Sequence, residues 1–460
     1  MFHSSIYQNR RKELMASIGP GIALIFGNKE TPMNYPGNPY PFRQDSNFLY
    51  FFGVDQPGLV GILDADSGEE VILGNELDLD DIIWMGFHET IREKAHKAGI
   101  EKVTPAQELV TYINKAKENK RPIHFLPPYP HERRIKLAEL LGVVPGAVEK
   151  EVSLPLIQAV AALRSRKIPE EIDQMEKTLS EVTHPMFVTA MRMADAGMTE
   201  FEIAGTLEGL ALREDLRLAY PIICSVRGEV LHNHDHSNVL KSDQMLLVDA
   251  GSESPMHYAT DITRTIPVNR RFAPRQKAVY EIVLQAQEAA INAIKPGVAF
   301  KDIHLLTCKV LTEGLKGLNL LKGNTDNIVE QGAHAMFLPH GLGHMIGLDV
   351  HDMEDLGEDN FAYTEEITRS AQFGTANLRL GRPLEEGYVV TVEPGLYFIP
   401  ALVSQWKEKK MFAEYINYPE VEKFTGFGGV RIEDNILVTK DGYRILGKPI
   451  PKTVSEIESL

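Results

Sequence analysis

Two apolar runs in LLVDAGSESPMHYATDITRTIP each deliver an aspartate, Asp249 and Asp261, with a turn-rich stretch at 251–255 between them. Around the second, alternation sets Ile262, Arg264 and Ile266 on one face and Asp261, Thr263 and Thr265 on the other, as in a half-buried strand. A hairpin here would bring both carboxylates to one place. Two buried, unpaired carboxylates repel each other and cost several kcal/mol or a raised pKa. A bound cation removes that conflict, so the stretch reads as half of a metal site. Two surface aspartates on a hairpin are an equal reading of these residues taken alone.

Further chemistry lies downstream. PHGLGHMIGLDVHD carries His340, His344 and His351 among glycines that let backbone approach a ligand closely. One buried histidine is ordinarily a core residue satisfied by backbone, but the grouping of these points to function. YVVTVEPGLYF ends an apolar strand in Glu393, an unusual place for a carboxylate. GGVRIEDNILV alternates so that Arg431, Glu433 and Asn435 share one face and Val430, Ile432, Ile436 and Val438 the other. One face belongs in a core and the other in a polar site. The tract HNHDH at 232–236 also invites a metal reading, but such polar tracts are more often loops.

The elements that must position these groups fall into two textures. A helix at 6–17, strands at 22–26, 48–54, 59–64, 71–73 and 123–126, and helical patterns at 104–118 and 131–142 predict an α/β domain over 1–165. Within it PFRQDSNFLYFFG mixes charge and aromatics, and packing is its expected role. Long helical periodicity then begins, with Pro169 in a first helical turn. The second domain is set at 166–460, with a helix at 199–213, a strand at 220–226 and helices near 273–294 and 299–315.

A chain of 460 residues exceeds one ordinary core, which agrees with two domains. Acidic residues outnumber basic ones, 64 to 48, and the net charge of -16 disfavours nucleic acid or an anionic membrane as the main partner. Two cysteines, Cys224 and Cys308, provide neither a disulfide framework nor a thiolate zinc site. The N-terminus lacks a signal-peptide core and no apolar run reaches membrane-spanning length, so a cytoplasmic protein is expected.

The ordered series VDAG, DITRT, HGLGHMIGLDVHD, TVEPG and GVRIED resembles the metallopeptidases that include aminopeptidase P and prolidase, and the first 165 residues resemble that family's N-terminal domain. The resemblance implies an α/β N-terminal domain followed by an α+β pita-bread catalytic domain of the creatinase/aminopeptidase type. It implies hydrolysis of Xaa-Pro bonds by a hydroxide shared between two divalent ions. Position by position, the metal ligands would be Asp249, Asp261, His344, Glu393 and Glu433. His232, His340 and His351 would surround the substrate, with Glu393 in proton transfer, His340 or His351 donating to the oxyanion, and Arg431 beside Glu433. Four carboxylates and one imidazole suit manganese, with cobalt, iron or zinc as alternatives.

The expected substrates are peptides with proline second, and the family association is a homodimer or homotetramer. Two departures stand out. The spacing of the two aspartates is one residue longer than the family pattern, which places the insertion in the turn at Ser254 and Pro255. The long segment 352–387, with the stretches after Glu393, is closer to prolidase, and Arg379 falls where prolidase binds a substrate carboxylate. A non-catalytic binding module or a metal-free creatinase-like hydrolase would be expected to have lost ligands. Methionine aminopeptidase lacks such an N-terminal domain.

Overall fold

The computed structural model describes residues 1–460, which divide into two compact units. The first comprises Met1–Arg164 together with Met353–Phe361, and the second Ser165–Asp352 with Ala362–Leu460. The excursion at 353–361 is one that a single boundary near 165 does not anticipate.

The first unit is built on a five-stranded sheet of β1 (Ile22–Phe26), β2 (Val60–Asp64), β3 (Glu70–Leu73), β4 (Lys102–Thr104) and β5 (Ile123–Phe125), in the order β4-β3-β2-β1-β5. Ile22, Leu24, Ile62, Val71, Leu73 and Phe125 pack against Leu109, Ile113 and Leu137 from the helices Glu108–Glu118 and His131–Leu141. The strand expected at 48–54 is instead the helix Ser46–Phe52. Asp45 caps it by accepting from the Asn47 and Phe48 amides, Gly53 ends it at φ 63°, and all its residues are buried. An element buried on every side has no amphipathic period, so its apolar run cannot distinguish strand from helix. The helices Leu79–Met85 and Ile91–Lys97 lie between 73 and 104, where no element was expected; the first buries none of its residues.

In the second unit β6 (Ile223–Ser225), β7 (Met245–Ala250) and β8 (Ile262–Pro267) form an antiparallel sheet in that order. A second sheet runs β13 (Tyr443–Ile445), β12 (Asp434–Val438), β9 (Val389–Val392), and β10 (Gly395–Tyr397) pairs with β11 (Gly429–Arg431). A bridge between Thr263 and Glu433 joins β8 to the turn between β11 and β12. Every residue of β8 is buried, so the expected half-buried strand is buried on both faces. Its second face is not purely apolar: the Arg264 guanidinium bonds Asp434, and Lys452 reaches the same carboxylate.

The long helical pattern after Pro169 becomes two helices, Pro169–Thr178 and His184–Met193, joined by a π turn in which the His184 amide bonds the Leu179 carbonyl. Pro185 has no amide to continue the ordinary ladder, which accounts for the break. Two further helices, Pro274–Ala293 and Phe300–Gly317, pack together over the sheets. No helix is long and apolar enough to cross a membrane.

Candidate metal centre

The hairpin register sets Asp249 between Ile223 and Thr263, and Asp261 lies one residue before β8. Asn435 fixes the latter's backbone: its Oδ1 accepts from the Asp261 amide at 3.1 Å and its Nδ2 donates to the Asp261 carbonyl at 2.6 Å. The turn between the aspartates is tied by the Ser254 hydroxyl, which accepts from the amides of Met256 and Tyr258.

The glycine-rich histidine loop lies along β9. The His344 amide donates to the Thr391 hydroxyl at 3.1 Å, and the Thr391 amide donates back to the His344 carbonyl at 2.9 Å. A Cβ at Gly343 would overlap the Thr391 carbonyl, so glycine is required for this approach. The His344 Nδ1–H donates to the Met345 carbonyl at 2.9 Å, which leaves the Nε2 lone pair facing Asp261 Oδ2 at 3.4 Å and Glu393 Oε1 at 3.7 Å. This fixed tautomer is the arrangement of an imidazole metal ligand.

Asp261, His344 and Glu433 are buried, and their ligand atoms lie within 4.8 Å of one another. Glu433 is 1% exposed; its Oε2 accepts from the Thr263 hydroxyl at 2.7 Å, whereas its Oε1 is buried without any partner. An unsatisfied buried carboxylate oxygen costs about 1–3 kcal/mol or more. Burial, followed by the charge of Asp249, pushes Asp261 well above the carboxylate range. Burial, followed by neighbouring carboxylates, does the same to Glu393 and Glu433. One cation of the chain enters the cluster: Arg431 lies 2.5 Å from Asp249 Oδ2 and also donates to Tyr397 and Thr263. Burial alone would lower its pKa, but the surrounding anionic groups raise it.

One guanidinium against the carboxylates of Asp249, Asp261, Glu393 and Glu433 leaves a formal charge of -3, more than a single divalent ion neutralises. The orphaned Glu433 oxygen, the aimed imidazole lone pair and the oxygen-rich donor set all fit divalent metal.

The histidines lie around this cluster in different states. His340 Nδ1–H donates to the Gly341 carbonyl at 2.7 Å, and its Nε2 accepts from the Tyr397 hydroxyl at 2.9 Å. Burial, then Arg431, lowers it to about 3, so it is neutral with its proton already used. His351 packs edge-on against His344, ring centroids 4.3 Å apart. His232 is exposed at the edge, and burial of part of its ring, with the charge of Arg431, lowers its pKa; Asp249, His351 and Arg379 also act on it. The charge of the half-buried Arg379 contributes, after larger causes, to lowering both His232 and His340. Within HNHDH, His234 is exposed and His236 bonds the Ile222 carbonyl at 3.1 Å, so the tract is a loop that presents His232 alone to the cluster.

Sequence reasoning missed two tyrosines. The Tyr220 hydroxyl lies 2.6 Å from Asp249 Oδ1 and 2.5 Å from Asp261 Oδ1, one proton between two carboxylates. Tyr397 links His340 to Arg431. Neither carried a signal, because a tyrosine beside a strand ordinarily reads as core. Thr263 was on the correct face by alternation, but its bond to Glu433 was not foreseeable.

Comparison with known proteins agrees with this architecture. Residues 174–440 match Metallopeptidase family M24, and residues 7–124 match the Aminopeptidase P N-terminal domain. A probable Xaa-Pro aminopeptidase of Fusarium vanettenii is 34% identical over 92% of this chain and 88% of its own length. A human Xaa-Pro dipeptidase is 32% identical over 95% of this chain and 88% of its own. The structure of Pseudomonas aeruginosa aminopeptidase PepP superposes with a TM-score of 0.81 at 28% identity, covering 100% of this chain and 98% of that one. A zinc-substituted Escherichia coli aminopeptidase P in complex with product gives 0.80 at the same identity and coverage. The chain belongs to metallopeptidase family M24 and carries the aminopeptidase P type of N-terminal domain ahead of the catalytic one. The membership brings with it a dependence on divalent metal.

Proposed function

We propose that Asp249, Asp261, His344, Glu393 and Glu433 hold a pair of divalent ions in this metal-dependent Xaa-Pro exopeptidase, manganese being the best match to the donor set. Divalent ions at such a site supply an acidified water at neutral pH and Lewis acidity toward the scissile carbonyl. The protein's own groups do the rest. Tyr220 and Arg431 orient the two aspartates from behind. Glu393, at 18% side-chain exposure, is open enough to exchange a proton with substrate and solvent.

His340 donates its one ring N–H to the Gly341 carbonyl and accepts from Tyr397 at the other nitrogen, so the donor to the developing oxyanion is assigned to His351, and His340 acts through Tyr397. His232, His340 and His351 form the wall against which a rigid pyrrolidine ring packs. A proline amide nitrogen has no hydrogen to satisfy and its φ is fixed, which suits such a wall. Arg379 is the candidate group for a substrate carboxylate. Relatives named aminopeptidase and dipeptidase both align across nearly the whole chain, so the reading covers Xaa-Pro peptides of either length. A cytoplasmic site of action agrees with two buried, unpaired cysteines.

The observation that carries this reading is the partnerless Glu433 Oε1 in a buried group whose Asp261, His344 and Glu433 ligand atoms lie within 4.8 Å of one another. Metal analysis of protein saturated with manganese should find about two ions per chain, and Glu433→Ala should lose at least one of them. Full activity on an Xaa-Pro peptide after chelation and removal of metal would refute it. A non-catalytic module and a metal-free hydrolase are disfavoured, since every ligand type expected of the family is present.

A further inference from the structure

Glu200 is fully buried at the start of the helix Glu200–Arg213, and no cation is needed to explain where its carboxylate goes. Its Oε1 accepts from the Val226 amide at 2.7 Å, and its Oε2 accepts from the Asn238 amide at 3.2 Å and the Asn238 side chain at 2.9 Å. One carboxylate therefore closes a loop at both of its ends. The same turn of helix adds backbone bonds, Glu200 N–H to the Asn238 carbonyl and Phe201 N–H to the His236 carbonyl. Between the clamped ends lies His232. On its other side the loop lies against β11, where a Cβ on Gly228 would strike the backbone of Gly429, close in sequence to Arg431.

We propose that Glu200 is a positioning residue for the reaction: it holds the loop 226–238 closed, so that His232 stays against the substrate. This rests on the reading above that His232 faces substrate. An amide-satisfied buried carboxylate is a stiff clamp because charge-assisted hydrogen bonds are shorter and about twice as strong as neutral ones. Without it, the loop is fixed by Asn233 donating to the Ser225 hydroxyl at 2.9 Å, by His236 bonded to the Ile222 carbonyl at 3.1 Å and by backbone contacts.

The test is steady-state kinetics on an Xaa-Pro peptide with the manganese-loaded full chain, together with bound-metal analysis and thermal midpoints. Glu200→Gln should lower kcat/KM about tenfold, chiefly through KM, with metal content unchanged. His232→Ala should also be impaired, and adding Glu200→Gln to it should cause less than about a twofold further loss. Glu202 is the control for helix stability, since it closes the capping box with Thr199 at the same helix start without touching the loop. Glu202→Gln should therefore keep wild-type kcat/KM. If Glu200→Gln does not fold, Asn238→Ala reads the same clamp from the loop side and should be non-additive with His232→Ala. Additive losses, or equal kinetic damage from Glu202→Gln at equal loss of stability, would overturn the proposal. An impaired His232→Ala beside a wild-type Glu200→Gln would overturn it alone. A wild-type His232→Ala would remove the reading on which it rests and the proposal with it.

Discussion

His344 Nε2 stands 3.4 Å from Asp261 Oδ2, with the imidazole proton committed to the Met345 carbonyl on the other side of the ring. Two lone pairs thus face each other in a buried site, and only a proton or a cation between them makes the contact favourable. The same holds for the nearby Glu433, whose folded-state pKa, like those of Asp261 and Glu393, is raised by burial and by its neighbours.

From this follows a pH dependence of the metal-free protein. These acids keep their protons in the folded state at pH values where the unfolded chain, with carboxylates near 4, has released them. Stability of the stripped protein should fall as pH rises from about 4 toward the raised folded values, opposite to the effect of an ion-paired carboxylate. Metal competes with those protons, so the gain in thermal midpoint on adding manganese should be larger at about pH 8 than at about pH 5. Equal gains at both would show that the carboxylates are already ionised without metal.

Tyr220→Phe removes the single hydroxyl proton shared by Asp249 and Asp261 while keeping the ring. Loss of an outer partner of metal ligands typically costs about 10–100-fold in metal affinity or activity. Titration calorimetry with manganese should register that weakening; unchanged affinity and activity would make Tyr220 a packing residue.

On the far face of β8, Arg264 donates to the Thr263 and Glu433 carbonyls at 2.9 and 2.7 Å, to Asp434 at 2.7 Å, and to the Ile450 and Pro451 carbonyls. Burial opposes ionisation of Asp434, but Arg264 and Lys452 hold its pKa below the ordinary value. Arg264→Met leaves that buried carboxylate with Lys452 as its cation and a bond from the Gln287 amide, and should cost about 3–5 kcal/mol of unfolding free energy. The part due to Asp434 is present above the unfolded carboxylate pKa and is lost as pH falls below it. Denaturant midpoints at pH 7 and at about pH 3 check this: the gap between wild type and variant should narrow in acid.

The carboxylates and the histidine loop were legible because each sits in a short motif with local cause: alternation at Asp261 and Glu433, a strand end at Glu393, glycines around His344. What supports them was not. Tyr220 and Tyr397 act through contacts that span 29 to 57 residues, to side chains that no local pattern links to them. The Phe48–Phe52 run failed for the opposite reason, since complete burial erased the periodicity that would have marked it as helix. On the face of β8 that carries Ile262 and Ile266, the charge of Arg264 is explained only by Asp434 and the carbonyls it meets.

We propose that Arg379 sets how long a substrate the site prefers. An Xaa-Pro dipeptide presents a free carboxylate one residue beyond the scissile bond, and a planar guanidinium binds it through two parallel hydrogen bonds. Arg379 is half-buried, follows the buried Leu378, and its charge contributes to lowering both His232 and His340, which supports this reading over a solvated surface arginine. Arg379→Ala should weaken kcat/KM for Xaa-Pro dipeptides by about 1.5–3 kcal/mol, or about 10- to 150-fold. Peptides of the form Xaa-Pro-Xaa carry their carboxylate farther out and should change much less. Arg379→Lys keeps the charge without the planar fork and should recover only part of the dipeptide rate. Parallel assays of both substrate lengths on the three proteins supply the measurement. An unchanged dipeptide rate in Arg379→Ala, or a wild-type preference for the longer peptides, would place the chain with the aminopeptidases among its relatives and leave Arg379 without a part in substrate recognition.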